Sequence, residues 1–436
     1  MQKINSGQDG QISLEKRWIN LCIASLGLGG IYSIFIVLLR TPGFSDLFLD
    51  KSIFKVALII HVDLTVLFWL LSFVMMIISE RIKAGFSSVI SQVTYLVGVS
   101  IALVAISPFF GQSKAFMNNY IPILHNFLFI MGIGIFFACF VVVCSLASLT
   151  NDEITRPMGL LGILICLSFF ISYLKISSLI ESGVQLDQAH YYELLFWGGG
   201  HLMQFFFLSG MIIVWYSYAA PLDQILPLKY LLALSLILCL PAIYLQLRCE
   251  IDDAYYIQLF REHMKIFGGI PFFIAIFTMI FSYSNNKGLN LQFTNQAFSL
   301  KAYSIVFSFF LFSSGGVIAL IISGKNVTIP AHYHGSIVGI TIIFMSYIYI
   351  RISEIYSGLN FKSATFQLLL YSFGQFVHIM GLGMSGGYGA LRKTPGVDLP
   401  FEAKIAMGFM GAGGLLAIAA GLIFVYICLS AIMKKN

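Results

Sequence analysis

The chain has 436 residues, of which 58% are hydrophobic and only 10% charged, with a mean hydropathy of +0.90. A soluble domain carries about 25% charged residues, so the composition excludes a soluble fold and points to an all-α integral membrane protein. The net charge of +6 is scattered over short loops, with no basic aromatic patch of the kind that nucleic acid needs.

The opening MQKINSGQDGQISLEKR is polar. It is expected to remain in the mature protein as a short tail, residues 1–16, because the apolar run behind it is long and many more follow. Runs of at least about 18–20 apolar residues mark spanning helices. In chain order they are predicted at Arg17–Arg40, Ile53–Ile78, Ser87–Phe109, Tyr120–Leu149, Pro157–Ile176 and Glu193–Tyr218. The second half adds Tyr230–Leu247, Met264–Tyr283, Ala302–Ile322, Pro330–Ile350, Phe366–Tyr388 and Ile405–Met433. The expectation is therefore one polytopic membrane domain over 1–436 with both termini on the same side. Lys and Arg divide almost evenly between the two sides, so the positive-inside rule does not orient it. All seven cysteines lie in or beside spans, and no CxxC or CxxCH occurs. That excludes a zinc ribbon, a disulfide framework and a covalent c-type haem, and leaves the cysteines as small buried apolar residues. The glycine runs at Gly27–Gly30, Gly198–Gly200 and Gly381–Gly387 have no preceding strand and no following Lys-Ser/Thr, so they are not phosphate loops. In spanning helices such residues permit close approach of a helix or cofactor.

The eight histidines carry the most information. In an alternating twelve-span chain, His61, His125, His190, His201, His263, His332 and His334 all lie at the start of even-numbered spans or just before them. His378 lies late in the eleventh span, which runs the other way, so all eight share one half of the membrane. Ionisable groups inside a membrane are functional candidates by default, and neutral imidazole is the commonest metal ligand. Residues two apart on a helix are separated by about 200°, so His332 and His334 project to nearly opposite faces. One helix offering an imidazole to each side suits two flanking cofactors better than one metal. His61 is a candidate partner for one cofactor; His201 and His263 are candidates near the other. Pro330 is well placed to start the tenth helix and so to set where both imidazoles point.

The order of these residues resembles the haem–copper oxidase superfamily, catalytic subunit I, which includes cytochrome c oxidases and nitric oxide reductases. The matching features are a lone His in the second span, FWGGGH in the sixth, REHMKIFGG at the eighth and His-x-His opening the tenth. The run FGQFVHIMGLGMSGGYGALRKT is similar to the segment that ends in a basic pair. The resemblance implies His61 and His334 as axial ligands of a six-coordinate low-spin haem. It implies His332 as the proximal ligand of a five-coordinate high-spin haem, His201 and His263 as ligands of a second metal, and Arg392 and Lys393 as propionate partners. Bis-His ligation saturates iron for electron transfer, whereas a vacant axial position admits a gas. It further implies a hetero-oligomeric respiratory complex in a bacterial inner membrane, with both termini cytoplasmic. Electrons would come from a partner subunit or cytochrome c, and the substrate would be a diatomic gas, with O2 expected first.

Two positions depart from the pattern. The adjacent histidine pair of the oxidases reads Glu262-His263 here. His201, His263 and Glu262 have the composition of a two-His-one-carboxylate site, which suits non-haem iron better than copper, so a nitric oxide reductase is the alternative. Equally, Glu262 can pair with Arg261 or Lys265 at the surface. Phe205 stands where many oxidases carry a tyrosine, with Tyr255 and Tyr256 nearby in sequence, and Met203 and Gln204 occupy the region of a missing glutamate. Asp63, Lys175 and Glu193 are possible polar stations, read first as helix-end or interfacial charges. A non-catalytic haem-binding paralogue and a twelve-span transporter are the other functional classes left open.

Overall fold

The computed structural model describes residues 2–41, 44, 53–219, 226–284, 295–322, 324, 326–356, 358–392 and 399–434. Twelve helices among them are long and apolar enough to cross a membrane, and the chain is an all-α membrane bundle. The first span is α1 (Gln2–Arg40), whose helix starts well ahead of the expected Arg17. The second span has three pieces: α2 (Ile53–Val62), a π-helix over Asp63–Phe68, and α3 (Trp69–Ser79). Then come α4 (Ser87–Ile106) and α5 (Phe127–Ser148). The expected start of the fourth span at Tyr120 is too early. Residues 114–125 instead form a small antiparallel hairpin, β1 (Lys114–Phe116) with β2 (Ile123–His125), in which Lys114 faces His125. The helix begins where the Asn126 side chain accepts from the backbone N–H groups of Leu128 and Phe129, which would otherwise be unpaired at a helix start.

The next helices are α6 (Thr155–Glu181), α7 (Gln188–Tyr218), α8 (Leu228–Arg248), α9 (Ala254–Phe267) and α10 (Ile270–Ser284). The eighth span thus starts at Ala254, roughly three turns of charged helix earlier than the expected Met264. Asp253 caps α9 by accepting from the Tyr255 N–H, and the helix is amphipathic, with Tyr256, Phe260 and His263 on its buried face. Arg261, Glu262 and Lys265 belong to the same helix and lower its average hydropathy below that of a span. The chain ends with α11 (Gln296–Leu320), α12 (Thr328–Tyr356), α13 (Phe361–Gly387) and α14 (Phe401–Met433).

Two compact units emerge: Met1–Cys22 with Leu67–Asn290, and Ile23–Val66 with Leu291–Asn436. In the first, α4, α5, α6 and α7 pack consecutively and α8 lies against α6 and α7. The helix α7 is buried on nearly every face from Trp197 to Tyr216. Its glycines admit large rings: a Cβ on Gly199 would meet the Phe169 ring at 2.4 Å, and one on Gly200 the Tyr120 ring at 2.1 Å. In the second unit α13 packs along α14 and α11 along α12. Here the contact is backbone against backbone, since a Cβ on Gly335 would lie 2.4 Å from the Gly315 Cα. Gly335 and Gly339 form a GxxxG pair, the spacing that lets membrane helices approach this closely. Large apolar side chains such as Phe277, Leu320, Leu422 and Tyr426 stay exposed on the outside, as expected where lipid is the solvent.

Candidate functional site

Four of the histidines belong to the second unit. His61 sits on the last turn of α2, and the next residues form the π-helix. A π-bulge adds a residue to one turn and is frequent at functional sites. The His61 Nδ1 lies 2.9 Å from the Gly29 carbonyl of α1. A carbonyl only accepts, so Nδ1 carries the proton and Nε2 keeps its lone pair. The approach requires glycine: a Cβ on Gly29 would fall 2.5 Å from the Thr65 Cγ2. His332, on the first turns of α12, repeats the device, with Nδ1 2.8 Å from the Gly315 carbonyl of α11. His378 repeats it again on α13, donating from Nδ1 to the Met410 carbonyl of α14 at 2.8 Å.

His334 differs. Its ring lies edge to face with His378, centroids 4.6 Å apart and planes at 62°. Its charged or titratable neighbours are His378, His61 and Arg40, with the Gln375 amide beside the ring. Thus α12 sends His332 toward α11 and His334 toward α13, two different sides of one helix. Arg40, at the end of α1, is buried, its guanidinium 5.3 Å from the Phe54 ring centroid and its Nε unpartnered among the described residues. Arg392 follows a β-bridge between Asn326 and Leu391, reinforced by Val327 N–H donating to the Ala390 carbonyl at 2.9 Å. That bridge holds Arg392 at the N-terminal end of α12, the end that carries His332 and His334. Lys393 lies outside the described residues.

His201 and His263 belong to the first unit. The His201 Nδ1 donates to the Trp197 carbonyl one turn back at 2.7 Å, and no hydrogen bond to Nε2 is formed among the described residues. Its ring is enclosed by Trp197, Tyr120 and Phe260, at centroid distances of 4.8, 5.0 and 5.3 Å. His263 is engaged through the other nitrogen. Its Nε2 lies 2.9 Å from the Leu238 carbonyl, and its buried Nδ1 has no partner among the described residues. The two histidines sit against the same helix pair, with Phe205 of α7 packing on His263 at 5.8 Å. Glu262 is not brought to them. One residue along the helix turns a side chain by about 100°, and Glu262 pairs on the exposed face with Lys265 at 2.9 Å. Among the described residues no group of three or more His, Cys, Asp or Glu side chains is arranged to hold a metal ion.

The structure also separates pairs that are indistinguishable in sequence. Tyr256 is fully buried beside Gln246 and Ser168, whereas Tyr255 is exposed. Lys175 donates to the Cys249 carbonyl at 2.6 Å, and Glu193 accepts from the Asn119 backbone N–H at 3.1 Å and from its side-chain amide. Both behave as helix-end groups. Asp63 does not: it is wholly buried inside the π-helix, and neither oxygen has a partner among the described residues. His125 and His190 are exposed. Residues without a role in the sequence reading but central to the cluster are His378, Arg40 and Gln375. Their signal was depth: each is a polar residue in the histidine-bearing half of a span.

The donor chemistry of the second unit fits haem. Metal-ligating histidines usually donate their second ring nitrogen to a carbonyl or carboxylate, which fixes tautomer and ring plane, and His61 and His332 meet that requirement on separate helices. A buried guanidinium near the His334 and His378 imidazoles, with no carboxylate paired to it among the described residues, suits an anionic edge such as a propionate. In the first unit, His201 and His263 each keep one ring nitrogen without a hydrogen bond among the described residues, a partial set for a second metal.

No protein-family model matches the chain. It is 34% identical to the uncharacterized protein RP382 of Rickettsia prowazekii (strain Madrid E), with 95% of each chain covered. An uncharacterized protein of Aquifex aeolicus (strain VF5) is 25% identical, over 77% of this chain and 84% of its own. Among solved structures, a heme-copper terminal oxidase studied as a dimer by cryo-EM superposes with a TM-score of 0.71, covering 97% of this chain and 85% of the other at 15% identity. The chain belongs to the family of the Rickettsia protein RP382 and has the twelve-span fold of the heme-copper terminal oxidases.

Proposed function

We propose that this chain is the haem-bearing core of a membrane respiratory oxidoreductase, similar to cytochrome c oxidase subunit I. His61 and His334 are the axial ligands of a low-spin haem, and His332 is the single protein ligand of a high-spin haem. His201 and His263 hold the second metal, with Arg392 and Lys393 as propionate partners. When bound, these groups supply electron transfer and an open axial position at which a diatomic gas is reduced.

The observation that carries the reading is the state of the imidazoles. His61, His332 and His201 each have Nδ1–H committed to a backbone carbonyl, so each presents a fixed Nε2 lone pair at a set angle. The protein's contribution is to hold those lone pairs still: Gly29 and Gly315 let the anchoring helices close to hydrogen-bond distance. The Trp197, Tyr120 and Phe260 rings exclude water around His201. Oxygen is the preferred substrate. Nitric oxide was favoured by a carboxylate beside His263, and Glu262 is instead engaged with Lys265. Electron delivery falls to a partner subunit or a small cytochrome, and both termini are assigned to the cytoplasm of a bacterial inner membrane.

A reduced-minus-oxidised spectrum of the purified protein, with and without carbon monoxide, tests this directly. Low-spin bands plus a carbon monoxide-sensitive component are expected, with faster oxygen than nitric oxide uptake by the assembled complex. Absence of haem bands refutes the proposal and leaves a transporter. A second reading has its own support: among the described residues, His201 and His263 are joined by no carboxylate. On that reading the chain is a haem-binding paralogue without the second metal. Metal analysis separates the two, since stoichiometric copper or iron beyond the haem content refutes the paralogue.

A further inference from the structure

His378 has no part in the ligand set above, yet the structure places it against His334. We propose that His378 is a positioning residue for the low-spin haem ligand, setting the plane of the His334 ring. This rests on the haem reading of the preceding section and goes beyond it by adding a third imidazole with a defined task.

Three observations carry it. First, His334 lacks the device that the other imidazoles share. His61, His332 and His378 each donate from Nδ1 to a backbone carbonyl of a neighbouring helix, whereas among the described residues no backbone carbonyl is hydrogen-bonded to His334. Its ring plane is therefore set by the Gln375 side chain, which hydrogen-bonds it, and by packing. Second, the packing partner is the His378 ring itself, at 4.6 Å and 62°. Two imidazoles holding one iron between them are roughly collinear through the metal with Fe–N bonds of about 2 Å, which puts their centroids farther apart than this. The pair therefore lies on one side of any haem that His61 closes from the other, and only one of the two can be its ligand. Third, His378 is itself immobile. Besides the Met410 bond, a Cβ on Gly413 would lie 2.4 Å from the His378 backbone nitrogen, and one on Gly414 would lie 3.0 Å from its Nδ1. The GAGG run of α14 is thus pressed against His378 from backbone to ring. A ring held by α14 through both a hydrogen bond and close backbone packing is a rigid edge for His334.

The orientation of an axial imidazole tunes the electronic structure of a bis-His ferric haem, so a positioning residue is readable without turnover. The parent protein, His378→Ala, His378→Phe and His334→Ala are purified with haem, and their optical and electron paramagnetic resonance spectra compared. His378→Ala should keep a six-coordinate low-spin haem but shift its lowest-field g value. His378→Phe, which restores a flat ring, should return it toward the parent. His334→Ala should lose the low-spin signal. Carbon monoxide binding at the other haem, retained in all variants, reports that the fold survives. A His378→Ala spectrum identical to the parent overturns the proposal. So does loss of the low-spin signal in His378→Ala with retention in His334→Ala, because His378 is then the ligand. A parent protein without any low-spin haem refutes the haem reading itself, a different result from either.

Discussion

Replacing Gly315 by alanine should separate α11 from α12 and release His332. The added Cβ would lie 2.4 Å from the Ser336 nitrogen, 2.8 Å from the Gly335 carbonyl carbon and 2.9 Å from the His332 oxygen. All three are backbone atoms, so no rotamer change can relieve the clash. Ordinary contact begins at 3.4 Å, which requires the helices to part by roughly 1 Å. Because α12 is also packed against α13 and α14, α11 is the freer partner. The Nδ1–Gly315 carbonyl bond, now 2.8 Å, would stretch to roughly 3.8 Å and cease to be a hydrogen bond. Overpacking of this kind costs about 1–3 kcal/mol, and loss of an outer partner of a metal-ligating histidine typically costs about 10–100-fold in affinity. The expected result is a weakened or depleted carbon monoxide-binding haem, with low-spin bands retained. Gly316→Ala is the internal control, since a Cβ there meets nothing within 4 Å and the two variants gain the same helix propensity. The assay is haem content and carbon monoxide difference spectra of the two variants purified in parallel. If Gly315→Ala matches Gly316→Ala, the Gly315 carbonyl does not position His332 and the argument fails.

The remaining expectations are simpler. His61→Ala should abolish the low-spin signal while preserving carbon monoxide binding, read by optical spectroscopy; preserved low-spin bands would remove His61 from the ligand set. Glu262→Gln should change stability by no more than about 1 kcal/mol, because exposed ion pairs contribute little, and should leave metal content unaltered; loss of a stoichiometric metal would restore Glu262 as a ligand. Gln246→Leu removes bonds to the Ser168 hydroxyl at 2.7 Å, the Ser168 carbonyl at 2.9 Å and the Ser172 hydroxyl at 2.8 Å. Each interhelical bond of this kind is worth about 0.6 kcal/mol in a membrane, so a loss of about 1–3 kcal/mol is expected in a detergent melt, and an unchanged midpoint would refute it. Asp152, in the loop before α6, shows a pH effect. Burial pushes its carboxyl up, but the Thr155 hydroxyl and N–H, Arg81 and the Ile154 N–H outweigh this and hold it below the usual carboxylate range. A depressed folded-state value means that Asp152 stabilises the fold above the usual carboxylate pKa and loses that contribution as pH falls through the lowered one. Asp152→Asn should therefore lower the melting midpoint at neutral pH, with the difference closing in acid; a pH-independent difference would exclude the linkage.

Much of the architecture is legible in the sequence because spanning is a local property. Twenty apolar residues cross a bilayer whatever surrounds them, and the tenth and twelfth spans were recognisable from hydropathy alone. The misjudged boundaries share one cause. Charged or polar residues on one face of a continuing helix dilute its hydropathy, as Arg261, Glu262 and Lys265 do on α9 and the N-terminal segment does on α1. At the fourth span the opposite happened: Ile121, Ile123 and Leu124 are apolar but buried in a hairpin, which a window average cannot distinguish from a helix start.

The candidate site divides along the same line. Order and depth of the histidines, and the divergent directions of His332 and His334, follow from spacing along single helices, so the sequence alone determined them. Which ring nitrogen is committed depends on a carbonyl from another helix: Gly29 for His61, Gly315 for His332, Met410 for His378. Those pairings join residues 17 to 32 positions apart and exist only because glycines let the backbones close. The meeting of His334 with His378 and the burial of Asp63 in a π-helix are likewise tertiary. Hydropathy and periodicity are sums over neighbours along the chain, whereas a hydrogen bond or a ring contact between helices depends on a distance that only packing sets.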